Sequence, residues 1–277
     1  MTRSKFIVSS LALAAGFFVL GSSAWADKLD DVKKAGVLRV AAFDGNPPFG
    51  YIDPASKKQV GHDIDLATEF AKSLGVKIEL VPTNPANRIP LLTSGKVDVV
   101  FASFTITDER AKAVDFTTPY FLVGQQFLAK KGVLKDAAQI KDIRIGTEKG
   151  TTMEANLRKN YPDAKVVLYD DSPFALAALR NGNVQAITND GVKLTAQWNA
   201  IPDKEKYEIP AITVSREYLG AAVPKGETRL LEALNTWLVD SEKNGRALAI
   251  YDTWFGPNSK APLPRLLKIG DQRVAAN

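Results

Sequence analysis

GHDIDLATEFAKSLGVKIELVPTNPANRIPLLTSGKVDVVF, residues 61–101, alternates helical and strand-forming patterns with short connections. Apolar residues recur at the spacing of one helical face from Ile64 to Leu74, and Gly75 ends that helix. The other elements predicted around it are, in chain order, strand 37–42, strand 76–81, a short helix around 88–93 and strand 97–101. This βαβαβ order predicts a parallel sheet covered by helices.

A second unit of the same kind begins near Ile140. Within it, Ser172 and Pro173 are good residues for the N-cap and first position of a helix. Its predicted elements are strand 143–146, helix 152–160, strand 165–169, the helix that ends at Gly182, strand 184–188 and helix 191–199. The chain therefore contains two α/β units.

Two strand-like stretches, 120–129 and 212–223, link the units, and two amphipathic helices, 227–244 and 246–254, follow. We therefore expect an α/β fold of two lobes joined by two crossing strands. The expected segments are 27–125 for the first part of lobe 1, 126–217 for lobe 2, and 218–277 for the return to lobe 1. Ligands bind such sheets at the carboxyl ends of the parallel strands, which here border the cleft.

The first 26 residues have the pattern of a secretory signal peptide. Arg3 and Lys5 precede an apolar run of 15 residues, and Ala24-Trp25-Ala26 supplies a small-residue cleavage site. The run is shorter than the roughly 20 residues of a membrane-spanning helix. Cleavage leaves 34 basic and 31 acidic residues, a net charge of +3. We expect a periplasmic protein, with an uncleaved anchor as the alternative.

The composition excludes several classes of site. The chain has no cysteine, which excludes disulfides, a thiol nucleophile and thiolate metal sites. Its single histidine, His62, argues against His-based metal sites and Ser-His triads. Charges of both signs alternate along the chain, which argues against nucleic-acid binding. We expect no metal, no cofactor and no catalytic residue.

An anion site is predicted where strand 97–101 ends. Ser103 and Thr105 bring hydroxyls to the cleft edge, and Thr107 can cap a short helix that carries Arg110. A carboxylate there would accept two hydrogen bonds from the guanidinium and others from the hydroxyls. Alone, Arg110 could instead form a surface ion pair with an aspartate, either Asp108 or Asp115. The combination of groups favours the anion site.

The second unit offers complementary groups. The loop 146–152, GTEKGTT, opens a helix and places the Thr152 hydroxyl and backbone N–H groups at the cleft, although it could be a plain helix cap. Asp190 follows strand 184–188 and can accept hydrogen bonds from an ammonium group, or cap the helix that follows. An anion site facing an acid suits a zwitterion. We therefore predict an α-amino acid held between the lobes.

Four motifs give the chain a resemblance to the periplasmic amino-acid-binding proteins of ABC importers, solute-binding protein family 3. They are GHDIDL at 61–66, SFTITDER at 103–110, DFTTPY at 115–120 and GTT at 150–152. The resemblance covers essentially the whole chain after residue 26. It implies a type II periplasmic-binding-protein fold, an L-amino-acid ligand and delivery to an inner-membrane ABC permease.

The resemblance also implies roles for individual residues. It assigns the ligand α-carboxylate to Arg110, Ser103, Thr105 and Thr152, the α-amino group to Asp190, and the cover of the ligand side chain to an aromatic residue, Phe43 or Phe49. Aromatic residues are usually core residues, so both phenylalanines could be structural.

Ligand identity is indicated only by Arg88. Its segment NRIPLL, 87–92, is similar to the aspartate/glutamate-binding branch, in which the position of Arg88 pairs with the ligand side-chain carboxylate. The WFGP sequence at 254–257 is similar to the same branch. The first loop, FDGNPPF at 43–49, lacks the second basic residue that the branch can supply. The alternative for Arg88 is a structural ion pair.

Two other functions are compatible with the sequence. A periplasmic cyclohexadienyl or arogenate dehydratase on the same fold would need a general acid, for which Glu148 is the candidate. A ligand-sensing domain would use the same site. We interpret His62 as structural, and Asp63 and Asp65 as helix-capping and helix-dipole residues rather than metal ligands. A monomer is the simple expectation.

Overall fold

The computed structural model describes residues 27–271, so the predicted signal peptide lies outside the described part. The helices are α1 Lys28–Ala35, α2 His62–Ser73, α3 Arg88–Thr93, α4 Asp108–Ala111, α5 Thr152–Asn160, α6 Ser172–Arg180, α7 Gly191–Ala200, α8 Thr228–Lys243 and α9 Arg246–Phe255. The strands are β1 Val37–Phe43, β2 Gly45–Asn46, β3 Gly50–Ile52, β4 Gln59–Val60, β5 Lys77–Thr83, β6 Val99–Val100, β7 Val114–Phe116, β8 Phe121–Val123, β9 Gln125–Lys130, β10 Arg144–Glu148, β11 Lys165–Tyr169, β12 Ala186–Asp190, β13 Tyr207–Glu208, β14 Glu217–Leu219 and β15 Ala222–Pro224.

The first lobe is built on a five-stranded sheet of order β5-β1-β6-β15-β7. Its centre is parallel, because β1 pairs with β5 on one side and β6 on the other, as the βαβαβ pattern predicts. The last two strands differ: β15 runs antiparallel to β6 and β7. Leu38 and Val40 of β1 are fully buried in the same core as residues of α2, α8 and α9.

The second lobe repeats this plan with the order β11-β10-β12-β9-β13. The strands β11, β10 and β12 are parallel to one another, β9 pairs antiparallel with β12, and β13 pairs antiparallel with β9. Both β10 and β12 therefore end at the same edge of the sheet, which brings Glu148 and Asp190, their last residues, to that edge.

Two antiparallel strands connect the lobes. Residues Glu217–Leu219 of β14 pair with Phe121–Val123 of β8. β8 leads directly into β9 of the second sheet, and β14 leads back into β15 of the first. These are the two crossing strands expected from the sequence. A two-strand connection of this kind allows hinge motion of one lobe against the other.

The helix starts follow the sequence in part. Thr107 caps α4 as expected, since its hydroxyl accepts a hydrogen bond from the Arg110 backbone N–H at 3.2 Å. Two other expectations are wrong. The N-cap of α6 is Asp171, so Ser172 is its first residue. Asp63 does not cap α2, whose N-cap is Gly61.

Gly61 is required by space and conformation. Its φ is +146°, and a Cβ there would lie 2.2 Å from the Phe49 carbonyl oxygen. With Gly61 at the cap, Asp63 falls in the first turn, where its carboxylate is free to serve another segment. Asp65 of the same turn accepts a 2.7 Å hydrogen bond from the Trp254 indole N–H.

Candidate functional site

The loop that follows β6 carries Ser103, the first of the predicted ligand residues. Ser103 has φ +46°, which is unusual for a residue with a side chain. Its backbone N–H donates a 2.6 Å hydrogen bond to the Asp63 carboxylate, which holds this conformation. Its hydroxyl lies 3.4 Å from the Asp190 carboxylate of the other lobe. The strained loop therefore aims Ser103 into the cleft.

Arg110 spans the cleft. One of its terminal nitrogens donates to the Thr105 carbonyl oxygen at 2.8 Å, and the other donates to the Gly150 carbonyl oxygen of lobe 2 at 2.9 Å. Burial lowers the pKa of Arg110 to about 10, and the negative charges of Glu217 and Asp190 oppose that shift. The guanidinium is thus cationic at neutral pH.

The surface-pair alternative for Arg110 is not what the structure shows. Asp115 pairs instead with Lys225, at 2.6 Å. No ion pair of Arg110 occurs within 4.0 Å in the described part of the chain, and its guanidinium lies 4.8 Å from the Phe104 ring centroid.

Thr105 and Thr152 come from opposite lobes and meet at one carboxylate oxygen. The Thr105 hydroxyl donates to Glu217 Oε2 at 2.9 Å, and the Thr152 hydroxyl donates to the same atom at 2.5 Å. The other oxygen, Oε1, accepts from Ser215 at 2.7 Å and Asn156 at 3.1 Å. Sequence reasoning missed Glu217; the signal available was an acid within the strand-like stretch that joins the lobes.

Asp190 ends β12 and is 2% exposed. Its Oδ2 pairs with the Lys193 ammonium at 3.2 Å, and its Oδ1 has no hydrogen-bond partner among residues 27–271. Burial raises the pKa of Asp190, while the charge of Lys193 acts in the other direction. Asp190 occupies the N-cap position of α7, as the capping alternative predicts, but its carboxylate makes no side-chain capping bond there.

Phe43 and Phe49 are both buried, at 1% and 0% exposure. Phe49 packs in an aromatic cluster with His62, Phe121 and Phe255, which gives His62 the structural surroundings expected for it. Both phenylalanines also border the cleft, because the Lys193 ammonium lies 5.3 Å and 5.8 Å from their ring centroids. They combine a core position with one ring face toward the second lobe.

Arg88 is 3% exposed, and its guanidinium donates hydrogen bonds to four backbone carbonyl oxygens. The acceptors are Pro85 at 3.0 Å, Ala102 and Ser103 at 3.1 Å, and Gly150 at 3.3 Å. Its guanidinium carbon lies 4.3 Å from the Phe104 ring centroid. Burial and the neighbouring Arg110 charge hold the pKa of Arg88 well below its usual range.

Arg88 therefore orders the loop on which Ser103 lies. The alternative of an ion pair for Arg88 finds no counterpart within 4.0 Å in the described segment. Hydrogen bonds to carbonyls, rather than a carboxylate, satisfy its donors.

Glu148 and Asp171 add two more acids to the lobe 2 side. Burial raises the pKa of Glu148 to about 7, and its Oε1 accepts a 2.5 Å hydrogen bond from Asn189. Asp171, the α6 cap, also accepts a 2.9 Å hydrogen bond from Asn46 of lobe 1. Burial also raises the pKa of Asp171, and the charge of the nearby Lys193 opposes the rise in the pKa of both acids.

Among residues 27–271, no group of three or more His, Asp or Glu side chains is arranged to hold a metal ion. Within the same range, the helices are too short or too polar to cross a membrane.

Comparison with known proteins places the chain in one family. Residues 38–257 match the model of the bacterial extracellular solute-binding proteins, family 3. The L-cystine-binding protein TcyJ of Escherichia coli (strain K12) is 35% identical over 254 residues, which are 90% of this chain and 93% of TcyJ.

Solved structures agree with the fold. An ancestral arginine-binding protein bound to glutamine has a TM-score of 0.76 and 41% identity, covering 80% of this chain and 98% of that one. The solute receptor for L-cysteine of Neisseria gonorrhoeae has a TM-score of 0.77 and 35% identity, covering 83% and 94%. These similarities confirm the type II periplasmic-binding-protein fold. The chain belongs to the bacterial extracellular solute-binding proteins, family 3.

Proposed function

We propose that this protein captures a polar L-amino acid between its lobes and delivers it to an ABC permease in the inner membrane. The observation that carries the proposal is the placement of Arg110 in lobe 1 and Asp190 in lobe 2 on the two sides of one cleft. Ser103 lies between them, because its hydroxyl is 3.4 Å from the Asp190 carboxylate. The loop of Ser103 is held in place by hydrogen bonds from Arg88 and Arg110 to its backbone carbonyls. A cation and an anion so placed match the two charges of a zwitterion.

The assigned roles follow from donor and acceptor chemistry. Arg110, Ser103, Thr105 and Thr152 supply donors for the ligand α-carboxylate, and Asp190 accepts from the α-ammonium. Phe43 and Phe49 offer ring faces to the apolar part of the ligand. The similar proteins are described as binding amino acids: L-cystine for TcyJ, arginine and glutamine for the ancestral protein, and L-cysteine for the Neisseria receptor.

For the ligand side chain, glutamate and aspartate are the first candidates. Arg88 lies beside Ser103 and Gly150, at the wall of the cleft. A ligand carboxylate reaches Arg88 by replacing its contact with the Gly150 carbonyl, which at 3.3 Å is the longest of its four hydrogen bonds. An acidic side chain would thus gain a charged partner at small cost.

Transport requires that the ligand favour the closed form. Contacts from both lobes give the ligand more partners when the lobes are closed, and this difference shifts the population toward closure. Because residues 1–26 carry the pattern of a signal peptide, we place this cycle in the periplasm, with the closed monomer as the form that docks on the permease.

Calorimetric titration tests the proposal. The protein lacking residues 1–26 is unfolded to remove copurified ligand, refolded, and titrated with the twenty common L-amino acids and L-cystine. We expect saturable binding of one or a few of them. If none of the amino acids binds, the proposal is contradicted.

The dehydratase alternative has one observation in its favour, the buried Glu148 with a pKa of about 7, which suits a general acid. Prephenate and arogenate are therefore included in the titration, with product formation followed by absorbance. Turnover of either compound without amino-acid binding would establish the enzyme and overturn the transport proposal.

A further inference from the structure

The Asp190 carboxylate already has an ammonium partner within the chain. Lys193, three residues later in α7, has a side chain only 6% exposed, and its Nζ lies 3.2 Å from Asp190 Oδ2. The same Nζ faces the rings of Phe43 and Phe49 at 5.3 Å and 5.8 Å. A carboxylate with two aromatic faces is a strong site for a cation. It is also the set of groups that the proposed function assigns to the ligand.

The donors assigned to the ligand carboxylate have a comparable partner. Glu217 Oε2 accepts from the Thr105 hydroxyl of lobe 1 at 2.9 Å and from the Thr152 hydroxyl of lobe 2 at 2.5 Å. Ser215 and Asn156 hold the other oxygen at 2.7 Å and 3.1 Å. The chain thus places one of its own carboxylates on the two threonines from opposite lobes.

From these two sets of contacts we infer that Lys193 and Glu217 compete with the ligand for the two charged subsites, and that they lower the affinity for amino acids. The inference rests on the proposed function. A ligand ammonium at Asp190 replaces the Lys193 ammonium, and a ligand carboxylate at Thr105 and Thr152 replaces the Glu217 carboxylate. The free energy of binding is then the difference between similar pairs.

Competition of this kind also affects selectivity. A ligand that carries one of the two charges displaces one internal partner and leaves the other pair intact. A ligand that carries both charges exchanges both pairs, so its affinity reports on both competitors. The purely structural interpretation, in which both pairs persist when ligand binds, predicts the opposite response to their removal.

The first test uses Lys193→Met, which removes the ammonium group and leaves an apolar side chain of similar length. Affinity for the panel of L-amino acids is measured by calorimetry, with Lys72→Met as the control, since Lys72 pairs with Glu69 on the exposed face of α2 at 2.7 Å. We expect the Kd of the tightest-binding amino acid to fall about tenfold or more in Lys193→Met and to be unchanged in the control. An unchanged or larger Kd overturns the role of Lys193.

A second readout uses the 2-hydroxy acid that corresponds to the same amino acid, in which a hydroxyl replaces the ammonium. In the unaltered protein, Lys193 can remain on Asp190 when the hydroxy acid binds. In Lys193→Met, Asp190 depends on the ligand ammonium. The Kd of the hydroxy acid divided by the Kd of the amino acid should therefore rise about tenfold in the variant. A constant ratio contradicts competition at Asp190, whatever the change in overall affinity.

The Glu217→Gln variant tests the other end, with Glu69→Gln on α2 as its control. We expect a lower Kd for the amino acid in Glu217→Gln than in the unaltered protein. Replacing the ligand carboxylate by an amide should also cost more affinity in the variant than in the unaltered protein. Circular dichroism and Tm establish that each variant is folded; if Lys193→Met is unfolded, Lys193→Gln takes its place. Binding by the unaltered protein with unchanged variants defeats this inference alone, whereas no binding by the unaltered protein defeats the proposed function.

Discussion

The Arg110 guanidinium of lobe 1 donates a 2.9 Å hydrogen bond to the Gly150 carbonyl oxygen of lobe 2. Arg88 donates to the same oxygen at 3.3 Å. Two cationic side chains thus converge on one backbone carbonyl across the cleft. Gly150 precedes the threonines that open α5, so this contact sets the position of the second lobe's donors relative to the first lobe's cations.

Replacement of Arg110 by alanine should weaken binding of every amino acid. The variant removes a partly buried charge that we assign to the ligand carboxylate, and loss of such a partner costs about 2 kcal/mol or more, roughly thirtyfold in Kd. Calorimetry measures the change. Arg229→Ala is the control, because Arg229 pairs with Asp30 on the surface. Equal affinity in Arg110→Ala and the unaltered protein would remove Arg110 from the site.

Replacement of Arg88 separates specificity from structure. Because Arg88 orders the Ser103 loop, Arg88→Lys should weaken binding of every amino acid, and if Arg88 also pairs with an acidic ligand side chain, glutamate and aspartate should lose about tenfold more than neutral amino acids. If its role is to hold the carbonyls of Ala102 and Ser103, the loss should be similar for all ligands. The ratio of the glutamate and glutamine Kd values decides between these outcomes.

The sequence predicted the two lobes and the crossing strands because each rests on local periodicity and on stop residues such as Gly75. It also identified Thr107 as a cap, since capping depends on neighbours in the chain. The role of Asp63 was not predictable in this way. Its partner, the Ser103 N–H, lies 40 residues away and meets it only when the loop after β6 folds over α2.

The same limit applies to charges. A sequence pattern shows that Arg88, Lys193 and Glu217 exist, but their partners come from other segments of the fold. Arg88 contacts carbonyls on three separate segments, and Glu217 contacts residues as far as 112 positions away. Lys193 was missed because α7 reads as an ordinary amphipathic helix. Tertiary packing decides which of these charges face the cleft.

Glu148 makes stability depend on pH. Burial raises the pKa of this carboxyl from 4.5 to about 7, so between these values the folded protein binds more protons than the unfolded chain. Its contribution to stability is therefore fully present below pH 4.5 and is lost as pH rises through 7. Glu148→Gln removes this dependence.

The gain in free energy of unfolding of Glu148→Gln over the unaltered protein should be larger at pH 8 than at pH 4.5, by up to about 3 kcal/mol. Urea unfolding at both pH values measures the gain. Glu109→Gln, at an exposed side chain, is the control and should show little difference. A gain that is the same at both pH values would mean that Glu148 does not titrate in this range.

The missing side chain of Gly150 is expected to allow the lobes to close. A Cβ at this position would lie 2.9 Å from the Ala86 Cα of lobe 1, and φ is +73°. Gly150→Ala should therefore hold the lobes apart in addition to straining its own loop. Gly132→Ala is a matched control in lobe 2, because its φ is +79° but a Cβ there meets no atom within 4 Å among the described residues.

Both alanine variants should lose a similar stability, about 1 kcal/mol, from the left-handed conformation. Only Gly150→Ala should also weaken ligand binding, and only in that variant should small-angle scattering show a smaller decrease in radius of gyration when ligand is added. The carbonyl of residue 150 remains available to Arg110 and Arg88, so a loss of compaction would come from the contact with Ala86. If both variants close equally on ligand, the approach of residue 150 to Ala86 does not control closure.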